Sequence, residues 1–136
     1  MKRSKDVEQT YLRFCDRLSA KDVASFNSLV SADPSVMVVG TAPGEIVTER
    51  PRLRFGFETE GIILKPNHPV GYEDNAMGWS FDEPLFSFPD GSAIRVRLSM
   101  FMRREEEGWK MVHAHFSVGV PDEEVVALQK KWTEKL

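Results

Sequence analysis

Two long apolar segments near the C-terminus, joined by an acidic turn, constrain the fold more than any other feature of the sequence. The segments SAIRVRLSMFMRR and GWKMVHAHFSVGV flank the turn Glu105–Gly108. A charged turn that ends in glycine between apolar runs is typical of a β-hairpin. The sequence therefore predicts two long antiparallel strands.

Side chains alternate between the two faces of a strand, so a pairing across this turn predicts which residues share a face. We expect the pairs Phe101 with Met111, Ser99 with His113, Arg97 with His115, and Arg95 with Ser117. The opposite face is almost entirely apolar and comprises Ile94, Val96, Leu98, Met100, Met102, Val112, Ala114, Phe116 and Val118. One face of the hairpin is thus dry, and the other mixes polar and apolar groups.

Two assignments of these faces are open. If the mixed face lines a cavity under helices, the apolar face needs a cover, and a second subunit is the simplest one. This assignment predicts a homodimer through the sheet, which Met100→Glu would split. The competing assignment packs the apolar face against the helices and leaves the histidines facing water. A bulge near residues 113–116 would exchange His115 for Phe116.

The N-terminal third of the chain has helical periodicity. Apolar residues at helical spacing and Ser4 as N-cap predict a helix over residues 4–19; the stripe is Val7, Tyr11, Phe14, Cys15 and Leu18. A second helix is expected to end at Asp33–Pro34, because proline disfavours helical geometry in the residue before it. Residues 36–40, VMVVG, form an apolar strand, and residues 48–61 permit a short third helix.

From Pro69 onward the pattern turns to β-structure, and residues 122–135 close the chain as a helix whose charges suit its dipole. The order of elements predicts an α+β fold, in which a curved antiparallel sheet wraps around N-terminal helices and encloses a conical cavity. Residues 1–136 are expected to form a single domain.

Composition excludes several classes of function. The 136 residues carry a net charge of −3, so no chain-wide positive field attracts nucleic acid. No apolar run approaches the ~20 residues of a membrane span. Cys15 is the single cysteine, which fits a reducing compartment. We expect a cytoplasmic protein with no nucleic-acid or membrane partner.

The segments VVGTAPGE and RLSMFMRREEEGWKMVHAHFSVGVP resemble the SnoaL-like branch of the nuclear transport factor two-like superfamily. The resemblance runs from about Val7 to Pro121 and implies a cystatin-like cone with an extra C-terminal helix. Relatives include ketosteroid isomerase, polyketide cyclases and the association domain of calcium/calmodulin-dependent protein kinase two. Because this fold hosts many unrelated activities, the resemblance implies the fold more strongly than the function.

The catalytic groups of ketosteroid isomerase have no counterparts here. Its oxyanion tyrosine and aspartic acid correspond to Phe14 and Ser99, and its base falls near Val39. Tyr11 and Asp74 are the residues from which such a site could be rebuilt. The resemblance therefore implies no steroid isomerase activity. Where the association domain carries pocket arginines, this chain has Ser99 and Phe116, with Arg97 as the nearest basic residue.

His113, His115 and Ser99 are the candidate catalytic residues, and His113 is expected to face the cavity. The expected pocket lining is Tyr11, Phe14, Trp79, Arg97, Ser99, Phe101, Met111, His113 and His115. Two histidines and a distant His68 do not make a metal site, so no metal or cofactor is expected. The leading interpretation is binding of an unknown hydrophobic small molecule, with a lyase, isomerase or cyclase activity. The alternative is a non-catalytic homo-oligomerisation module.

Overall fold

The computed structural model describes residues 1–50 and 61–133. The helices are α1 (Lys5–Ser19), α2 (Val23–Asn27) and α3 (Asp122–Thr133). The strands are β1 (Lys2–Arg3), β2 (Met37–Val39), β3 (Ile46–Val47), β4 (Ile63–Lys65), β5 (Val70–Asp74), β6 (Met77–Asp82), β7 (Leu85–Ser87), β8 (Ala93–Arg95), β9 (Arg97–Glu105) and β10 (Gly108–Ser117). Most of the expected third helix, residues 51–60, lies outside the described residues.

Seven strands form the main sheet in the order β1-β5-β6-β9-β10-β2-β3, and β4-β7-β8 form a smaller one. All pairs in the main sheet are antiparallel except β10 with β2, which is parallel. The N-terminal helices and this largely antiparallel sheet confirm the predicted α+β fold.

Helix α1 forms as predicted, because its N-cap residue and its apolar stripe both indicate a helix that begins after Ser4. The Val7 N–H donates to Ser4 Oγ at 3.2 Å, and acidic residues occupy the first turn, where the helix dipole favours them. Its apolar stripe is buried against the sheet, and Val7 and Tyr11 are fully inaccessible to solvent.

Helix α2 ends earlier than predicted, at Asn27 instead of Asp33–Pro34. The chain that follows it pairs with β10: Met111 N–H donates to the Leu29 carbonyl at 2.7 Å, and Ser31 N–H donates to the Met111 carbonyl at 2.9 Å. These sheet hydrogen bonds take the place of the further helical turn.

The predicted antiparallel pairing of β9 with β10 is confirmed, but the predicted register was wrong; the predicted sharing of a face was right for most residues. A two-residue turn, Glu106–Glu107, shifts the register by one position, and a bulge between Met111 and His113 shifts it by another. The observed pairs are Met102 with Met111, Phe101 with His113, Ser99 with His115, and Arg97 with Ser117. The two shifts add up to two positions, and side chains two positions apart on a strand point to the same face. The histidines therefore share a face with Ser99 and Phe101 as predicted, whereas Met111, which precedes the bulge, lies on the other face.

The sheet face that packs on α1, here called the inner face, is the apolar one. A Cβ at Gly78 on this face would lie 2.9 Å from Val7 Cγ2 of α1. Leu98, Met100 and Ala114 are fully buried there. The competing assignment of the faces is therefore correct, and these residues need no second subunit as a cover. Met100→Glu would bury a charge in the core, so it cannot probe a dimer.

The segment VGYEDNAMGWSF is a hairpin, because Asn75 turns the chain at φ +54° between β5 and β6. Helix α3 begins at Asp122 as predicted, and its predicted end at residue 135 lies outside the described residues. None of its described residues is buried, and Trp132 is 56% exposed. Among the described helices, none is long and apolar enough to cross a membrane.

Candidate functional site

The sheet face that points away from α1, here called the outer face, carries two rows of side chains in register. Strand pairing places the central row side by side across five strands; it is Tyr72, Trp79, Phe101, His113 and Met37. The second row lies next to it and is Val70, Phe81, Ser99, His115, Val39 and Ile46. The two rows form a surface that is mostly apolar and aromatic.

The rings of the central row contact one another. Tyr72 and Trp79 stack with centroids 4.9 Å apart at 22°, and Phe101 meets His113 edge-on at 5.9 Å. At one end of the row, the Arg3 guanidinium lies 5.7 Å from the Tyr72 ring centroid, within reach of a cation–π interaction. Cross-strand aromatic pairs of this kind stabilise a sheet and hold the rings in place.

Phe101 lies at the centre of the outer face and is 45% exposed. It occupies the middle of β9, which is the fourth of the seven strands. Ile46 at the edge of the same face is 54% exposed. A large aromatic side chain in the middle of the main sheet is thus left open to solvent by the described residues.

His113 and His115 project from this face, with ring centroids 6.4 Å apart. His113 is half-buried, and lost hydration together with repulsion from His115 lowers the pKa of its imidazole. Neither ring makes a hydrogen bond within the described part of the chain. Among the described residues, no cluster of three or more His, Cys, Asp or Glu side chains could hold a metal ion.

A second polar group lies on the inner face, between α1 and the sheet. Tyr11 Oη donates to Asp82 Oδ2 at 2.9 Å, and the Asp82 carboxyl also accepts from the Asn67 and Glu83 N–H groups, each at 2.8 Å. Burial is the main cause that raises the pKa of the Tyr11 phenol, so this group stays protonated and can donate. Burial also raises the pKa of the Cys15 thiol to about 12.

Ser80 lies two residues before Asp82 on β6, on the same inner face, and is fully buried. Its hydroxyl has no hydrogen-bond partner among the described residues. Sequence reasoning missed Ser80 and Asp82 and named Asp74 instead, which is exposed at the end of β5. The alternation of Gly78, Ser80 and Asp82 with two aromatic residues was the signal that could have found them.

The residues expected to line one pocket fall on opposite sides of the sheet. Tyr11, Phe14 and Met111 belong to the buried core. Trp79, Arg97, Ser99, Phe101, His113 and His115 lie on the strand positions of the outer face. The structure does not bring the two groups together, so the histidines do not share a cavity with Tyr11. His68 is exposed in a loop, at φ +55°.

A surface pocket of about 360 Å³ lies at one end of the main sheet, lined by Met1, Lys2, Glu73, Asp74, Asn75 and Arg104. The Glu73 carboxylate accepts from Ser4 Oγ at 2.5 Å and from Arg104 at 3.1 Å. The bond from Ser4 is the main cause that lowers the pKa of Glu73. These contacts fix the N-terminal strand to the sheet, which gives the charged groups of the pocket a structural role.

Comparison with known structures shows the same fold at low sequence identity. An NTF2-like protein of unknown function from Pseudomonas putida KT2440 has a TM-score of 0.72 at 11% identity, over 87% of each chain. A candidate ketosteroid isomerase from Shewanella frigidimarina has 0.68 at 11%, over 84% of this chain and 96% of that one. The association domain of Caenorhabditis elegans CaMKII has 0.67 at 19%, over 84% of this chain and 94% of that one.

A comparison with the curated proteins finds no match. The family model of the SnoaL-like domain matches residues 7–121, which include most of α1, every strand from β2 to β10, the histidine pair of β10 and the Tyr11–Asp82 pair. The chain therefore belongs to the SnoaL-like domain family.

Proposed function

We propose that this protein works as a homodimeric module, in which the outer faces of two sheets pack against each other. The observation that carries the proposal is the exposed central row, with Phe101 45% open to solvent in the middle of the main sheet. Soluble monomers seldom expose a contiguous apolar patch of this kind. Aromatic residues are enriched at the buried centre of protein interfaces.

The outer face has the layout of a self-complementary interface. A two-fold contact joins one patch to a second copy of itself, and residues near its centre meet their own counterparts. The aromatic rings lie at the centre, and Arg3 and Arg97 lie at the edge, where they stay hydrated. The likeness to the CaMKII association domain supports self-association as the role of the fold here.

Phe101→Glu tests this proposal. A charge at the centre of the interface should remove a residue of the kind that contributes at least about 2 kcal/mol, which weakens the dimer roughly 30-fold or more. Sedimentation velocity at micromolar concentration should give a dimer for the wild type and a monomer for the variant. Circular dichroism should show an unchanged fold, because Phe101 is not part of the core.

Ile63→Glu is the matched control. Ile63 is 51% exposed, but it lies on β4 of the smaller sheet. Its substitution should leave the dimer intact. A monomeric wild type, or a Phe101→Glu variant with the wild-type mass, would contradict the proposal.

A second candidate function is the binding of a hydrophobic small molecule between α1 and the sheet, with a lyase, isomerase or cyclase activity. The specific observation is the Ser80 hydroxyl, which has no hydrogen-bond partner among the described residues and lies two residues before Asp82 on the same face of β6. A buried polar group without a partner has lost its hydration without compensation, and a ligand oxygen would restore the missing hydrogen bond. We infer a ligand that is largely apolar and carries a carbonyl or hydroxyl group.

A thermal-shift screen with aromatic acids, lactones, steroids and polyketide-like compounds tests this second function. Any compound that stabilises the wild type should stabilise Ser80→Ala less, because the variant lacks the hydroxyl. Ser99→Ala, on the neighbouring strand but on the outer face, should respond like the wild type. The absence of any stabilising compound, or equal stabilisation of wild type and Ser80→Ala, would count against this site.

A further inference from the structure

We infer that His113 and His115 form one half of a transition-metal site, which the same two residues of a second copy complete. The inference rests on the proposed packing of two outer faces. Two histidines one residue apart on a strand project to the same side, so one cation can contact both rings. The structure provides this arrangement on β10, where both rings are open to the outer face.

The distance between the two rings suits a shared metal ion. A zinc ion lies about 2.0–2.1 Å from its imidazole nitrogen, so two rings in tetrahedral geometry have centroids about 5 Å apart. The centroids are 6.4 Å apart in the single chain. Side-chain rotation can close this difference, since neither ring is hydrogen-bonded to a described residue.

The residue type also favours a transition metal. A histidine binds a metal through a nitrogen of its neutral imidazole ring. Imidazole ligands suit zinc, copper and nickel. The nearest charged groups on the outer face of β9 are Arg97 and Arg103, and Arg103 is paired with Asp33 and Glu105.

One chain alone supplies two ligands, which leaves half of a tetrahedral site open. His113 lies directly beside Phe101, at the centre of the face where a two-fold contact brings counterparts together. Two histidine pairs would supply four nitrogen ligands. We therefore assign zinc as the preferred ion and one ion per two chains as the stoichiometry.

The experiment titrates EDTA-treated protein with zinc chloride and follows both heat and assembly state. We expect one zinc per two chains by calorimetry. With free zinc at about ten times its dissociation constant, linkage should raise the dimer association constant about tenfold in sedimentation experiments. His113→Asn and His115→Asn should each abolish the rise. His68→Asn is the matched control, because it removes the remaining histidine at an exposed loop position with φ +55°, which asparagine tolerates.

The outcomes separate this inference from the proposed function. A dimer that depends on Phe101 but binds no zinc, or binds one zinc per chain without a change in association, overturns the metal site and leaves the dimer in place. A zinc response that survives in His113→Asn overturns it as well. A wild type that is monomeric both with zinc and with EDTA overturns the proposed function itself.

Discussion

His113 lies between the Phe101 ring and His115, in a setting that favours its neutral form. Lost hydration is the main cause of the lowered pKa, and the second imidazole acts in the same direction. The unfolded chain, where the pKa of histidine is about 6.5, therefore binds a proton at this position more readily than the folded chain does. Proton binding to the unfolded state makes the stability of the protein depend on pH.

We predict that the wild type loses stability relative to His113→Gln as the pH falls. The histidine contribution is fully present above about pH 6.5 and is lost as the pH decreases toward the lower folded-state value. Urea unfolding at one protein concentration, at about pH 7.5 and about pH 5.5, measures the change. Parallel behaviour of wild type and His113→Gln would contradict the assigned pKa direction.

The sequence predicts which residues share a sheet face with His113, but not whether that face points toward α1 or away from it. Alternation along β9 and β10 places Ser99, Phe101 and the two histidines on one face. The predicted register was wrong by two positions at the histidines, and an error of two positions leaves each side chain on its predicted face. The direction of the face depends on how α1 packs against Met100 and its neighbours, and both faces carry enough apolar residues to serve as a core. The bulge at Val112 has no local sequence signature, so Met111 could not be placed.

Among the elements, the β9–β10 hairpin has a turn whose backbone conformation requires glycine. Gly108 closes it at φ +115°, and a Cβ added there would meet no atom within 4 Å. The requirement for glycine is therefore one of backbone conformation alone, since there is ample space for a methyl group.

Gly108→Ala should destabilise the protein by about 1–3 kcal/mol, the usual cost of a non-glycine residue in a disfavoured backbone region. Glu107→Ala, in the same turn, should change stability by less than about 1 kcal/mol, because the Glu107 side chain is 85% exposed and its ion pair with Lys110 is therefore screened by solvent. Urea unfolding checks both variants. Equal stabilities for Gly108→Ala and the wild type would show that the turn adapts without cost.

Elements with their own local signals are the ones that the sequence predicts well. Helix α1 has a cap, an apolar stripe and acidic first-turn residues that all agree. Strands β1, β3 and β4 are two or three residues long, too short for a period-two pattern to be recognised. The early end of α2 depends on pairing with β10, which is remote in sequence and invisible to local propensity.

At the scale of the whole molecule, the Tyr11–Asp82 hydrogen bond fastens the helical layer to the sheet. The same carboxyl group accepts from the Asn67 N–H, so it also anchors the loop between β4 and β5. Three parts of the fold thus meet at one buried group, which is 2% exposed. This convergence is a tertiary feature, and neither Tyr11 nor Asp82 has a neighbour in sequence that predicts it.

Tyr11→Phe should lower the free energy of unfolding by about 1–3 kcal/mol, because it removes a buried hydrogen bond to a carboxyl group. Ser92→Ala, in the turn between β7 and β8, is the control and should cost less than about 1 kcal/mol, since solvent can replace the exposed hydrogen bond from its hydroxyl to Asp90. Chemical denaturation of both variants gives the comparison. A Tyr11→Phe variant as stable as the wild type would mean that the bond contributes no net stability.

The parallel pairing of β2 with β10 sets an order of events during synthesis on the ribosome. Met37 pairs with His113 in the sheet, and the backbones of Leu29 and Ser31 hydrogen-bond to Met111. The segment from Leu29 to Val39 must wait until nearly all of the domain has emerged, because contacts between such distant residues cannot form earlier. While it waits, the apolar residues Val30 and Val36 of this segment, which are buried in the folded protein, have no β10 to pack against. The nascent chain is therefore most exposed to aggregation just before β10 is complete, and this is the stage at which a chaperone would contribute most.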